Sequence, residues 1–410
     1  MKSWIDVPED SDFSIYNIPF GIGKSGDAPF ACTRIGDQVL NLSKLASIGF
    51  FNGLVDDDSV FNHASLNAFI SLGKAVTNEV RERIQNTLSN EHSPLKNQGD
   101  LFTPFRSVSM QLPVAIGDYT DFYSSIEHAT NVGKMFRDPE NALLPNWRHI
   151  PIGYHGRASS IVISGTPVRR PKGQTKPADS DLPVFGPTKR LDFELEVGFI
   201  IGKETNVGEN IPIEKTEDHI FGLVLFNDWS ARDIQTWEYV PLGPFLSKNF
   251  ISAMSPWIVT LEALDTFRVQ GPVQNPTVLP YLQYNGLKNY DIALEVLLTP
   301  ENNKSTVISK SNFKYMYWNM CQQLAHHTSN GCNVRVGDLM ASGTISGPDQ
   351  SSLGSMVEIS TGGKTPLALP NGEKRSFIED GDTVTIRGWA EKEGKRIGFG
   401  EVYNQVESAL

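Results

Sequence analysis

The sequence predicts a mainly β protein with some α, built as a small N-terminal unit and a larger C-terminal one. Three observations carry this. Short apolar runs of strand length, bounded by Gly and Pro, recur from Leu112 onward. No regular βα alternation of the Rossmann kind and no fixed-period repeat accompanies them. The texture also changes near residue 112: before it lies a long helical pattern, after it Gly, Pro and aromatic residues become frequent. The units are therefore placed at 1–112 and 113–410.

In the first unit, Phe30–Ile35 and Gln38–Leu42 read as strands around a Gly36-Asp37 hairpin turn. A helix follows over Ala64–Leu88, with Leu66, Phe69, Ile70, Val76, Val80 and Ile84 as its apolar stripe. Gly21-Ile22-Gly23-Lys24-Ser25 looks like the end of a phosphate-binding loop. The position five before Gly23, where that motif needs glycine, is Ile18, so nucleotide binding there is discounted. In the second unit, strands are expected at Ile161–Ser164, Leu191–Gly198, Ile220–Asn227, Trp257–Thr260, Ile292–Leu298, Leu339–Ser342, Met356–Ser360, Thr383–Arg387 and Gly398–Val402. One helix interrupts them, over Phe313–Ser329, with Asn312 as its N-cap and Gly331 as its stop.

The totals narrow the function classes. A net charge of −11 with acid and base interspersed argues against a nucleic-acid surface, and there is no basic amphipathic helix for a membrane surface. The apolar run Ile220–Phe226 is far too short to span a bilayer. The N-terminus has no signal-peptide pattern, and the three cysteines (Cys32, Cys321, Cys332) are widely spaced. Both point to a reducing cytosol, which makes the sequons at Asn41 and Asn303 irrelevant.

The stretch Leu191-Asp192-Phe193-Glu194-Leu195-Glu196-Val197 alternates apolar and acidic. As a strand it would turn Leu191, Phe193, Leu195 and Val197 to a core and Asp192, Glu194 and Glu196 to the other face. Side chains two apart rise about 6 to 7 Å, so two flexible glutamates there can converge on one cation. A solvated acidic face is the plain alternative.

Other groups favour the cation. Ser124 with Glu127 forms a capping box, so a helix starts there with His128 near its beginning and Asp121 and Tyr123 in the preceding loop. The strand Ile220–Asn227 ends at Asp228, and Ser230 then caps a helix. On that helix Arg232, Gln235 and Tyr239 share a face, a set suited to an anionic substrate. Lys248 lies in an apolar loop bounded by Gly243-Pro244, where a partly buried ammonium needs an anion. Small residues over Ala341–Pro348 let backbone approach a ligand, with Thr344 able to donate to a carboxylate and Glu358 able to orient a histidine. Asp121, Glu194, Glu196 and Asp228 offer oxygen only, which suits Ca²⁺ or Mg²⁺ and leaves His128 free as a general base.

At these residues the chain resembles the fumarylacetoacetate hydrolase family. The resemblance rests on Gly117–Ser125, His128–Gly133, Asn141–Trp147, Gly153–Ser160, Ser164–Pro167, Leu191–Glu196, Asn227–Gln235 and Ala341–Pro348. It covers nearly the whole length. The Glu-x-Glu pair is widespread in the superfamily, whereas Asp121–His128 and Asn141–Ser160 point to the branch that hydrolyses fumarylacetoacetate. The resemblance implies an SH3-like N-terminal barrel, a C-terminal mixed β-sandwich roll and a cytoplasmic homodimer. It implies hydrolysis of a small diketo-dicarboxylate, 4-fumarylacetoacetate, to fumarate and acetoacetate, the last step of tyrosine and phenylalanine breakdown.

Residue by residue, Asp121, Glu194, Glu196 and Asp228 match the family's calcium ligands. Asp228, Lys248 and Ser252 match its magnesium site, where the family has threonine at position 252 and glycine at Ile251. His128 matches the base and Glu358 its partner. Arg232, Gln235 and Lys248 match the oxyanion-stabilising group. Tyr123, Arg137, Gln235, Tyr239 and Thr344 match substrate contacts, with Tyr154 a further pocket candidate. Rival expectations are an acylpyruvate-type hydrolase or decarboxylase of the same superfamily, and a calcium-binding structural protein that would leave His128, Arg232 and Lys248 without a task.

Overall fold

In the computed structural model, which describes residues 1–26, 28–301 and 303–410, the chain is mainly β. The N-terminal unit holds a five-stranded antiparallel sheet. Its strands run in the order Phe102–Pro104, Gln38–Asn41, Pro29–Ile35, Phe20–Lys24, Ser109–Gln111. The hairpin turns at Gly36, in the left-handed region at φ 52°. Gly21 to Lys24 is an internal strand, with none of the strand-to-helix context of a phosphate loop.

The expected Ala64–Leu88 helix is two helices, Asn67–Ile70 and Lys74–Ser89. Gly73 at φ 88° separates them, a conformation that breaks the helical hydrogen-bond ladder although the apolar spacing continues across it. The expected Phe313–Ser329 helix also begins later. Asn312 caps only a single 3₁₀ turn, and the α-helix Met320–Thr328 starts from a full capping box between Asn319 and Gln322. Met356–Ser360 is not a strand: Met356–Ile359 forms one helical turn.

Two larger sheets organise the rest. One is mixed and eight-stranded, with Leu195–Ile201 and Ile220–Asn227 paired antiparallel at its centre. Leu339–Ala341 flanks Leu195–Ile201 and pairs in parallel with Tyr119–Phe122 beyond it. The other sheet is five-stranded and built on Ala293–Thr299, Thr383–Lys392 and Lys395–Glu407.

The central strands are buried on both faces, which is why Ile220–Asn227 reads as an unbroken apolar run. Leu195, Val197, Phe199, Leu223 and Leu225 pack into one core with Val296, Ile386 and Phe399 of the second sheet. On the opposite face, Ile200, Phe221, Val224 and Phe226 share a core with Phe20, Ile22 and Phe69 of the N-terminal unit. Phe20 lies 4.9 Å from Phe69 and 6.1 Å from Phe221, ring centre to ring centre. The face that could have been solvated is therefore covered, and Glu196 is fully buried upon it.

Candidate active site

The acidic strand is interrupted where it matters. Leu191–Asp192 pairs with Ser230–Ala231, the ladder lapses at Phe193 and Glu194, and Leu195–Ile201 resumes it. Leu191, Phe193, Leu195 and Val197 all enter the core as the alternation requires. Glu194 and Glu196 turn to the other side, where Asp121 and Asp228 meet them. Asp121 comes from strand Tyr119–Phe122, not from a loop, because the parallel pairing with Leu339–Ala341 extends through it. Asp228 directly follows the end of Ile220–Asn227. One oxygen from each of the four carboxylates lies within 4.8 Å of the others, and all four residues are buried.

The charges are unequally compensated. Lys248 places Nζ 2.5 Å from Glu194 Oε2 and 2.7 Å from Asp228 Oδ2. Burial opposes the lysine's charge, but Asp228 and Glu194 outweigh it and hold the ammonium above its usual range. Burial likewise opposes ionisation of Glu194, yet Lys248 and Arg232 together push its carboxyl below the ordinary value. Asp121 and Glu196 have no such partners. Desolvation first, then repulsion from Asp228 for Asp121 and from Asp121 for Glu196, drives both well above the carboxylate range. Asp121 Oδ1 and Glu196 Oε1 are buried without a hydrogen-bond partner. Oxygen atoms left this way, in an all-carboxylate shell, fit a hard divalent cation. Gly343 N donates to the other Glu196 oxygen at 3.1 Å. This approach requires glycine: at φ 76°, a Cβ there would lie 2.1 Å from Phe122 O.

Beside the carboxylates stands His128, in helix Ile126–Phe136. The cap of that helix is Ser125, whose Oγ accepts from His128 N, rather than Ser124. Ser124 instead turns inward, where its Oγ accepts from Gln323. His128 Nδ1 lies 2.7 Å from Glu358 Oε2. With Nδ1 donating to the carboxylate, Nε2 carries the lone pair. Glu358 is anchored by Asn131 at 2.9 Å, Ser346 at 2.9 Å and Ser355 at 2.7 Å. Burial pushes its pKa up, but His128 and these donors more than offset that and leave it below the usual carboxylate range.

Arg232 opens helix Arg232–Glu238. Ser230 does not cap it, being paired in a short strand with Asp192. Arg232 Nη2 reaches Glu194 Oε1 at 2.8 Å, Nε reaches Asp192 Oδ2 at 2.9 Å, and Nη1 donates to Gln235 Oε1 at 3.2 Å. The last bond leaves the Gln235 amino group for a ligand. Tyr154 and Ser252 donate to the two Asp228 oxygens at 2.9 and 2.7 Å. Burial beside Asp228 pushes the Tyr154 phenol upward, so it stays a donor.

These groups line one cavity of about 1070 Å³. Asp121, Tyr123, His128, Arg137, Tyr154, Glu194, Arg232, Gln235, Tyr239, Lys248, Thr344 and Glu358 all border it. Of the residues expected from the sequence, Glu196, Asp228 and Ser252 lie behind that wall and reach it through Asp121, Lys248 and Tyr154. Thr344 Oγ1 is buried without a partner at the cavity wall, and Tyr123 stacks edge-on to His128 at 5.4 Å.

Sequence reasoning missed Arg190 at the cavity rim and the serines that hold Glu358. It also gave Asp192 no role beyond a place on the acidic face, although that residue is fully buried against Arg232. A guanidinium on a facing helix was the available signal for Asp192. No local pattern marked Ser346 or Ser355.

A family profile described as the fumarylacetoacetate hydrolase C-terminal region matches residues 119–407, and one described as the fumarylacetoacetase N-terminal region matches residues 16–113. The chain is 53% identical to a human fumarylacetoacetase over 415 residues, covering 100% of this chain and 99% of that one. It is 54% identical to a fumarylacetoacetase from Dictyostelium discoideum over 411 residues, covering 98% and 96%. Among solved structures, a fumarylacetoacetate hydrolase from Exiguobacterium antarcticum covers 95% of this chain and 99% of its own, with a TM-score of 0.54 and 17% identity, a likeness of fold.

Proposed function

The chain belongs to the fumarylacetoacetate hydrolase family, and from that premise we propose that it cleaves the carbon–carbon bond of 4-fumarylacetoacetate, giving fumarate and acetoacetate. The observation that carries this is identity above one half with fumarylacetoacetases over the full length of both chains.

His128 takes a proton from water through Nε2, with Glu358 holding the ring by Nδ1 and balancing the imidazolium that forms. The hydroxyl adds to the carbonyl carbon on the fumaryl side. Arg232, the Gln235 amino group and Lys248 face the oxygen that gains charge, an interaction worth about 3 to 4 kcal/mol per donor. When that oxygen re-forms its double bond, the adjacent carbon–carbon bond breaks. Its electron pair leaves with acetoacetate, which takes up a proton. Arg137, Tyr123, Tyr154, Tyr239 and Thr344 border the cavity as contacts for the dicarboxylate. Asp121, Glu194, Glu196 and Asp228 would hold Ca²⁺, and Asp228, Lys248 and Ser252 are assigned to Mg²⁺ by resemblance. A divalent cation bound here supplies Lewis-acid polarisation of the diketone and charge compensation for the departing enolate.

We also propose units at 1–112 and 113–410, a homodimer and a cytoplasmic setting. Exposed Val184, Phe185, Leu242, Phe245 and Leu246 offer apolar surface for a second copy. The three cysteines are free thiols, as a reducing compartment favours. Among the described residues no helix is long and apolar enough to cross a membrane.

The test is loss of diketone absorbance when purified protein meets fumarylacetoacetate, with and without a chelator. Rapid loss that the chelator abolishes and Ca²⁺ or Mg²⁺ restores supports the reading. No loss with metal present overturns it.

A further inference from the structure

Asp192 is the one carboxylate of the acidic strand that borders neither the cation cluster nor the cavity, yet it is fully buried with every contact spoken for. Its Oδ2 accepts from Arg232 Nε at 2.9 Å and from Val357 N at 3.0 Å, and its Oδ1 accepts from Met356 N at 2.6 Å. Met356 and Val357 are the first two residues of the turn that carries Glu358. That turn has no side-chain cap of its own, since Ser355 at its N-cap position instead donates to Glu358. Asp192 therefore satisfies its leading N–H groups from another element. The same carboxylate orients the guanidinium that reaches Glu194 and Gln235. A single rigid group thus spans the two arms of the site, the His128–Glu358 pair and the Arg232 group.

We propose that Asp192 is a positioning residue for the hydrolysis, setting Glu358 and Arg232 in register so that proton removal and oxyanion stabilisation converge on one carbonyl. This rests on the function proposed above. The two amide bonds to the turn of Glu358 tie the carboxylate to the reaction, because that turn holds the group behind the base at 2.7 Å. Groups that act as a unit are strongly non-additive when removed together, and that separates positioning from packing.

The experiment compares kcat and KM for wild type, Asp192→Asn, Glu358→Gln and the double variant, with fold checked by circular dichroism. Wild-type turnover in the same assay tests the underlying function separately. Asp192→Asn keeps the shape but puts an amino group where a donor must be accepted. It is expected to lower kcat by roughly 10²-fold with KM within about 3-fold of wild type, and the double variant is expected to fall no more than about 3-fold below the weaker single one. Met356→Pro reads the same link with the buried carboxylate intact, so a poorly folded Asp192→Asn does not end the test. It deletes the shortest of the three bonds at a first-turn position that tolerates proline, after a residue already extended at φ −147° and ψ 155°. It is expected to lower kcat about 10-fold at unchanged KM. With wild type active, a folded Asp192→Asn within 3-fold of wild-type kcat, or losses that simply multiply in the double variant, overturns the proposal.

Discussion

Two buried ionic clusters in this chain show opposite solutions to the same problem. Around Arg375, the fork of Nε and Nη2 grips both oxygens of buried Asp382 at 2.9 and 3.1 Å, and Nη2 also reaches Glu373 at 2.6 Å. Glu379 N donates to Asp382 as well, so the cluster is closed. Around Glu194, Asp121, Asp192, Glu196 and Asp228 add their charges with only Arg232 and Lys248 to answer them, and oxygens of Asp121 and Glu196 stay unpartnered. Burial costs are comparable in kind, but only the first cluster recovers them within the protein. Charge left uncompensated and aimed at a cavity marks a site that a ligand completes. Closed charge marks scaffold.

That contrast breaks most visibly at His128. His128→Ala is expected to lower kcat by about 10³- to 10⁴-fold while the unfolding midpoint stays near wild type. A folded variant with near-normal turnover would remove the base assignment. Next, Glu196→Gln takes away a buried carboxylate that no side-chain cation among the described residues pairs with directly, its one hydrogen bond being from Gly343 N. Divalent-cation affinity, followed by titration calorimetry, is expected to fall by roughly 10²-fold or more. The chelated variant should melt higher than chelated wild type, and a lower midpoint would mean that the cluster is closed after all. In the scaffold cluster the signs reverse. Arg375→Ala strands Asp382 and should cost about 3 kcal/mol in denaturant unfolding, with kcat unchanged. The smallest effect belongs to Thr344. With its hydroxyl already unpartnered, Thr344→Val should leave stability within about 1 kcal/mol and raise KM roughly 10-fold. An unchanged KM would remove Thr344 from the substrate contacts.

Much of this site was legible because its chemistry sits on local patterns. Alternation along Leu191–Val197 placed the apolar side chains correctly, and the end of an apolar strand placed Asp228. Lys248 in an apolar loop did require anions, and it has two. What stayed hidden depends on contacts distant in sequence. Asp192 showed no role in the sequence because its partners, Arg232 and the amides of Met356 and Val357, come from other elements. Met356–Ile359 has a strand-like composition, yet external capping of its first amides lets it close as a helical turn. The cap at Ser125 rather than Ser124 turned on one residue of register, which adjacent serines leave ambiguous. Burial of the acidic face followed from the N-terminal unit packing on Ile200 and Phe226, which neither segment announces alone.

The central claim is that buried carboxylates wait for a divalent cation, and thermal unfolding against pH tests it most directly. Asp121 and Glu196 have folded-state pKa values raised above their unfolded values. At these two groups the folded state therefore binds more protons, and their contribution to stability is full below about pH 4 and is lost as pH rises above that range. Chelated protein is predicted to lose thermal stability between pH 5 and pH 8 through this cluster. Saturating Ca²⁺ should restore it, most strongly at the high end. Superimposable melting curves with and without the cation at every pH would contradict the account.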